Sequence, residues 1–206
     1  PHFPWLDYMD LLETTKEFRR LHVEGRLTGG LAYFMGKRKA IEELYDLEND
    51  PYELNNLAAN SRYLGDLQRL REAHFAWTRE TRDTAFIPEQ MLRDFASGSS
   101  EFDYGQSKAY QLERCIGAVR RLEHDAAVLP DLIKGLIDDY PPVRFWAAVG
   151  LASLGAKARP ALPALRAALA DAHAEVAITA AEALCYAGEP ELALPLLERY
   201  LQDSRQ

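Results

Sequence analysis

The densest acidic run in the chain is Asp46-Leu47-Glu48-Asn49-Asp50, and its first possible chemistry is calcium binding. An EF-hand loop counted from Asp46 requires Gly at its sixth position and Glu at its twelfth. Those positions hold Pro51 and Leu57. The run is therefore a turn with a rigid Asp50-Pro51 corner, and Asn55 or Asn56 caps the segment after it. A second candidate is the basic turn Gly36-Lys37-Arg38-Lys39. Lys37, Arg38 and Lys39 at one loop tip would suit an anionic substrate, against the alternative of a solvated basic turn. They are the only candidate substrate-binding residues; no catalytic or metal-ligating residue is assigned.

The remaining chemistry-bearing side chains are dispersed. Cys115 and Cys185 lie 70 positions apart, outside any Cys-x-x-Cys or Cys/His grouping, and read as small buried apolar residues. His2, His22, His74, His124 and His173 show neither HxxxH nor HExxH spacing. His74 falls on the apolar stripe of a helix, where a core or interface role fits better than ligation. No GxSxG, Walker A or GxGxxG string is present, and Gly25, Gly29 and Gly30 lack the strand-to-helix context of those motifs.

Net charge is −8 with a pI near 5.2, and basic residues alternate with acids (Arg19, Arg20, Glu24, Arg26). This excludes an electrostatic nucleic-acid footprint. With 48% hydrophobic residues the chain has material for a packed core. No run approaches the roughly 18–20 apolar residues of a membrane span. The opening Pro1-His2-Phe3-Pro4-Trp5 has no signal-peptide pattern. It also lacks an initiator Met, so the chain is expected to be a piece of a longer protein.

These residues are positioned by two kinds of element. Thr14 and Glu17 make a capping box for a short helix through Phe18, Leu21 and His22, stopped at Gly25. Leu31–Met35 and Glu43–Leu47 are expected to be strands pairing across the basic turn. Two strands alone are barely stable, so they need a covering helix. The spacing of Tyr63, Leu67, Leu70, His74 and Trp77 predicts one from about Ser61 to Thr81. A short amphipathic piece over Glu89–Phe95 comes next, and then Ala96-Ser97-Gly98-Ser99-Ser100, which has linker composition.

Beyond it, strand signals vanish. A helix between about Ser107 and Glu123 places Leu112, Cys115, Ile116, Val119 and Leu122 on one face. An internal repeat comes after it. Leu129-Pro130, Leu132, Leu136, Asp138, Val143, Ala147-Ala148, Leu151 and Gly155 recur 33 positions later as Leu162-Pro163, Leu165, Leu169, Asp171, Val176, Ala180-Ala181, Leu184 and Gly188. Leu194-Pro195, Leu197, Leu201 and Asp203 begin a third copy at an offset of 32. Each unit reads as helix, Asp turn, Ala-rich helix and Gly stop, and such units bury their faces by stacking. Paired helices are expected at about 129–137 and 142–154, then 162–170 and 174–187. A single helix is expected from about 190 to 203, and Trp146 and Leu151 lie between layers. The string Pro141–Gly155 resembles HEAT-like α/α repeats.

The string Glu43-Leu44-Tyr45-Asp46-Leu47-Glu48-Asn49-Asp50-Pro51-Tyr52-Glu53-Leu54-Asn55-Asn56-Leu57-Ala58 closely resembles the signature near the C-terminal end of type I, alkaline-phosphatase-like sulfatases. The resemblance covers about residues 1–90 and includes Tyr8-Met9-Asp10, Glu24–Gly29 and the Trp77–Asp83 end of the long helix. That ending is most similar to the heparan N-sulfatase branch. The resemblance implies a parent enzyme that hydrolyses sulfate esters or sulfamates of sulfated glycans or aryl sulfates. Formylglycine, made from Cys or Ser in a C/S-x-P-x-R motif, and calcium belong to its catalytic domain. Neither cysteine here has that context: Cys115 precedes Ile116-Gly117-Ala118-Val119, and Cys185 precedes Tyr186-Ala187-Gly188-Glu189. Known catalytic positions lie upstream of Pro1. Better-known sulfatases do not end in helical repeats; the resemblance is compatible with a periplasmic or secreted parent.

The expected architecture is mainly α. A small α+β sulfatase C-terminal subdomain (1–96, hairpin plus long helix) is followed by a linker (97–106) and a HEAT-like α/α solenoid (107–206). This chain alone is expected to be non-catalytic. Its partners would be the missing catalytic domain and, through the repeats or an orphaned apolar surface (Phe3, Trp5, Leu6, Tyr8, Phe34, Met35), a second copy or a protein. The alternatives are a non-catalytic helical-repeat scaffold and a sulfatase-like remnant retained for structure alone.

Overall fold

The computed structural model describes residues 9, 11–36, 39–122 and 126–203. The chain divides into two compact units, Pro1–Glu72 and Ala73–Gln206. The described residues are mainly helical, with no strand among them.

In the first unit, α1 (Glu13–Val23) begins two positions before the expected helix interior. The capping box does not form. Leu12 occupies the N-cap without a side-chain bond, since leucine carries no acceptor, and its amide turns onto the Met9 carbonyl at 3.1 Å. Arg20 bridges Glu17 and Glu24 along the exposed face, and Gly25 closes the helix.

The expected hairpin is replaced. Residues 29–34 form a short helix, α2 (Gly29–Phe34), closed by Met35 N–H onto the Leu31 carbonyl at 3.2 Å. Residues 43–47 run as irregular chain. Two isolated strands gain little. Local helical closure satisfies one segment, and the side chain of Asn56 satisfies the other. The long helix α3 (Leu64–Thr81) is present, preceded by a 3₁₀ turn at Ser61–Tyr63. Its buried positions are Phe75 and Thr78; Leu70, His74 and Trp77 of the expected stripe are exposed. The buried face is the one that Phe75 turns into the apolar cluster with Met91 and Ile116.

In the second unit, α4 (Glu89–Phe95), α5 (Glu101–Gln106) and α6 (Leu112–Val119) enclose a cluster built on Phe75, Met91, Tyr104, Tyr110, Cys115 and Ile116. The stretch 97–106, expected as a linker, contains α5, and Tyr104 of that helix is a member of the cluster. Ser100 caps α5 through the amide of Asp103 at 3.0 Å.

The repeats are built from α7 (Leu129–Gly135), α8 (Pro141–Leu154), α9 (Leu162–Ala168), α10 (Ala174–Ala187) and α11 (Pro190–Asp203). A 3₁₀ segment, Gly155–Ala161, joins α8 to α9. Ala147, Ala148, Ala180 and Ala181 are buried with Leu151, Leu165 and Leu184 in one core. Small side chains set the helix spacing: a Cβ at Gly150 would lie 2.6 Å from Leu132 Cδ2. Gly188 ends α10 at φ +100°, a conformation open to glycine at little cost. Leu151 lies between layers as expected. Trp146 is only partly buried and donates its Nε1–H to the Phe86 carbonyl at 2.7 Å.

Candidate functional site

The sulfatase-like string folds around three polar side chains in the first unit. Asn56 Oδ1 accepts from the amides of Leu44 and Ala58, both at 3.0 Å, while its Nδ2 donates to the Glu42 carbonyl at 3.1 Å. Asp46 accepts from the Glu48 and Asn49 amides and from Asn49 Nδ2. Asp50 accepts from Leu54 and Asn55 at 3.1 and 2.7 Å. Hydrogen bonds from Asn49 hold Asp46 below the usual carboxylate range, and backbone N–H groups do the same for Asp50. Glu42 is clamped bidentately by Arg71 at 2.6 and 2.5 Å, and this guanidinium holds its carboxyl down. The two aspartates that suggested a cation loop are thus committed to closing turns.

Lys37 and Arg38 lie outside the described residues. Lys39 is an ion-pair partner of Glu43, which also accepts from Tyr33 Oη at 2.6 Å. Burial works against the Glu43 carboxylate, but Lys39 and Tyr33 outweigh it and lower its pKa. Tyr33 thus ties α2 to the string through Glu43, and Lys39 pairs with the same carboxylate, a role that its position in a basic triplet did not indicate.

In the second unit, a depression of about 300 Å³ is lined by Arg79, Arg82, Tyr110, Gln111, Leu112, Glu113 and Arg114. Arg79 pairs with Glu113 at 2.7 Å. Arg82 donates to the carbonyls of Gly105, Ser107 and Tyr110 at 2.6, 2.8 and 3.3 Å. Arg114 bridges Asp138 and Asp139. Arg79 and Arg82 tie the end of α3 to α6 and α5, and Arg114 ties α6 to the turn before α8. Arg82 adopts φ +52°, rare for a side-chain-bearing residue, and its three carbonyl bonds hold it there.

Two arginines that sequence reasoning missed brace the repeats. Arg114 reaches Asp138, and Arg144 clamps Asp171 at 2.6 Å with both groups largely buried. Each aspartate also accepts from the amide two residues on, Tyr140 at 2.8 Å and His173 at 2.9 Å. The repeated Asp was visible in the sequence. Its cation was not, because it comes from the helix before.

Cys115 is fully buried and burial pushes its thiol up to about 12, so it stays protonated at neutral pH. His74 stacks on Trp77 at 6.5 Å, and His173 meets the Phe95 ring edge-on at 5.9 Å; His2 and His124 lie outside the described residues. No group of three or more His, Cys, Asp or Glu among the described residues could hold a metal ion. With Asp46 and Asp50 committed to amides, the described residues do not fit calcium, and the sequence around neither cysteine fits a formylglycine precursor. No helix among the described residues is long and apolar enough to cross a membrane.

Residues 129–206 match the HEAT-repeat family. Two curated proteins from Formosa agariphila, both named ulvan-active sulfatase, also resemble the chain. One is 37% identical over 87 residues, 42% of this chain and 15% of the relative. The other is 39% identical over 78 residues, 34% of this chain and 15% of the relative. The chain thus spans about 15% of the length of each of these relatives. No solved structure matches.

Proposed function

We propose that this chain is the C-terminal region of a sulfatase acting on a sulfated polysaccharide, carrying a HEAT-repeat extension. The partial identity to two ulvan-active sulfatases carries this reading. We assign that likeness to about residues 1–96, where the sulfatase-like string lies, and the extension to 107–206. Ulvan-type sulfate esters are then the first substrates to test, with N-sulfated glycans second because of the Trp77–Asp83 ending.

The state of the first unit supports the proposal. Thr15 is its only buried side chain among the described residues, while Leu31, Phe34, Leu47 and Leu54 are exposed. A segment this apolar and uncovered suits docking onto a larger domain. In this proposal that domain brings the formylglycine and calcium, and Lys37, Arg38 and Lys39 face its anionic substrate. A second copy of the chain is the competing cover.

The test reads the polypeptide upstream of Pro1 and assays it. A C/S-x-P-x-R string there, with sulfate release from ulvan by the full polypeptide and none by residues 1–206, supports the proposal. An upstream region without that string would sink it. The chain would then be a non-catalytic helical-repeat interaction module, a reading that the stacked repeats themselves favour.

A further inference from the structure

Two depressions of the second unit meet at Arg82, which lines both. One is the arginine-rich depression described above. The other, of about 250 Å³, is bounded by Trp77 and Thr81 of α3, Asp83 and Thr84 just beyond it, and Phe102 and Gln106 of α5. Trp77 is 55% and Phe102 71% exposed, so two aromatic side chains stand in solvent on one depression. Their backbone is firmly placed. A Cβ at Gly105 would lie 2.8 Å from Thr84 Cγ2, so glycine admits α5 this close to the end of α3. Arg82 Nε then donates to the Gly105 carbonyl at 2.6 Å.

The lining chemistry selects among occupants. An apolar peptide laid on the two rings would desolvate Thr81, Asp83 and Gln106 without pairing them. A pyranose suits both kinds of group. Its C–H face packs on an aromatic ring, and its hydroxyls pair with carboxylate and amide groups. Asp83 Oδ1 accepts from the Ala85 amide at 3.0 Å, and its other oxygen is left for a hydroxyl. Arg82 supplies a cation. Its Nε and Nη2 donate to three carbonyls, and no carboxylate pairs with it among the described residues. The remaining Nη1 edge suits the oxygens of a tetrahedral anion. Glu113 holds neighbouring Arg79 in an exposed pair, which is worth at most about 1 kcal/mol and gives way readily to a competing anion. Asp138 and Asp139 occupy Arg114.

We infer that Trp77, Phe102 and Arg82 form a binding site for a sulfated polysaccharide, with a sugar ring on the aromatic pair and its sulfate on Arg82. The choice of sulfate over a uronic carboxylate rests on the sulfatase reading; the aromatic depression and the guanidinium stand without it. The chain as a whole carries −8, so its overall field repels a polyanion, and binding must come from local contacts. The site lies wholly within residues 77–114, so residues 1–206 are sufficient to show it.

The experiment titrates residues 1–206 calorimetrically with ulvan oligosaccharides and with the same oligosaccharides after desulfation. The sulfated form should bind, and desulfation should weaken binding about tenfold. Trp77→Ala and Phe102→Ser should each weaken it about fivefold while leaving the urea midpoint unchanged, because both side chains are exposed. Arg82→Gln should erase the preference for the sulfated form, and its retained binding of the desulfated form shows that it has folded. No binding by residues 1–206 overturns the inference, as does equal affinity for the two forms. Affinity unmoved by both aromatic variants also overturns it, by placing the glycan elsewhere. A chain that sediments as a dimer dissociated by Trp77→Ala assigns the aromatic pair to a second copy instead. Sulfate release by the full polypeptide without binding by residues 1–206 removes this inference alone. Binding by residues 1–206 with no C/S-x-P-x-R string upstream removes the sulfatase reading alone.

Discussion

The two units solve the same problem of holding backbone in place by opposite means. The second surrounds fully buried Met91, Leu151 and Leu184 with stacked helices. The first, among its described residues, buries no apolar side chain and is laced by Asn56, Asp46, Asp50 and the Glu42–Arg71 clamp. Apolar burial contributes about 25 cal/mol per Å², whereas a single hydrogen bond nets only about 1 kcal/mol. The second unit is therefore built to be stable by itself. The first holds a defined conformation through polar contacts, with Leu31, Leu47 and Leu54 exposed.

The most damaging test of that contrast is Leu151→Ala. It should cost about 2–5 kcal/mol in urea unfolding, because a cavity opens between α8 and its neighbours. A cost below about 1 kcal/mol would mean that the repeat core is not the stabilising element. Arg82→Ala comes next, at about 2 kcal/mol, since it leaves three carbonyl acceptors short of a donor and an alanine at positive φ. An unaltered unfolding midpoint would show that α3 is held to α5 and α6 by other contacts. Thr78→Val carries the opposite sign. Thr78 Oγ1 is buried and finds no hydrogen-bond partner among the described residues, so the valine should stabilise by up to about 1 kcal/mol.

Acid should separate the units. Glu42, Asp46 and Asp50 have lowered pKa values, so their contribution is present above the unfolded carboxylate range and is lost as pH falls below about 4.5 through the folded values. The leucine and alanine core of the repeats does not titrate, although the lowered Asp171 beside Arg144 will weaken its edge. Pepsin at pH 3 should therefore cut within 40–60 well before 141–187; equal rates would mean that the units open together. The smallest effect belongs to Phe34→Ser. Phe34 is 42% exposed and meets the edge of Phe18 at 6.3 Å, so residues 1–206 should change by less than about 0.5 kcal/mol. In the full polypeptide the same change should cost several-fold more, if this face is docked.

The repeat region was legible because it repeats. Helices spaced 33 residues apart, with Ala at the contacts and Gly at the stops, bury neighbours in the same register wherever they stack, and the observed helix bounds fall within two residues of those expected. The first unit was legible only as a string. Its alternation suggested two strands, but a strand exists only when another pairs with it. Here the Leu31–Met35 amides closed locally and the string's amides turned to Asn56.

The candidate site divides in the same way. Sequence spacing offered no thiol or imidazole grouping, since the cysteines lie 70 positions apart and the histidines lack HxxxH or HExxH spacing. That Asp46 and Asp50 serve turns was already legible in the sequence, whereas that Lys39 answers Glu43 and that Arg114 and Arg144 brace the repeated aspartates was decided by the fold. These pairs join side chains up to 27 residues apart, and an ion pair across that separation leaves no periodic trace in a sequence. In the repeats the 33-residue period determined which helices form, whereas α2 and α5 and the long-range polar contacts were decided by the fold.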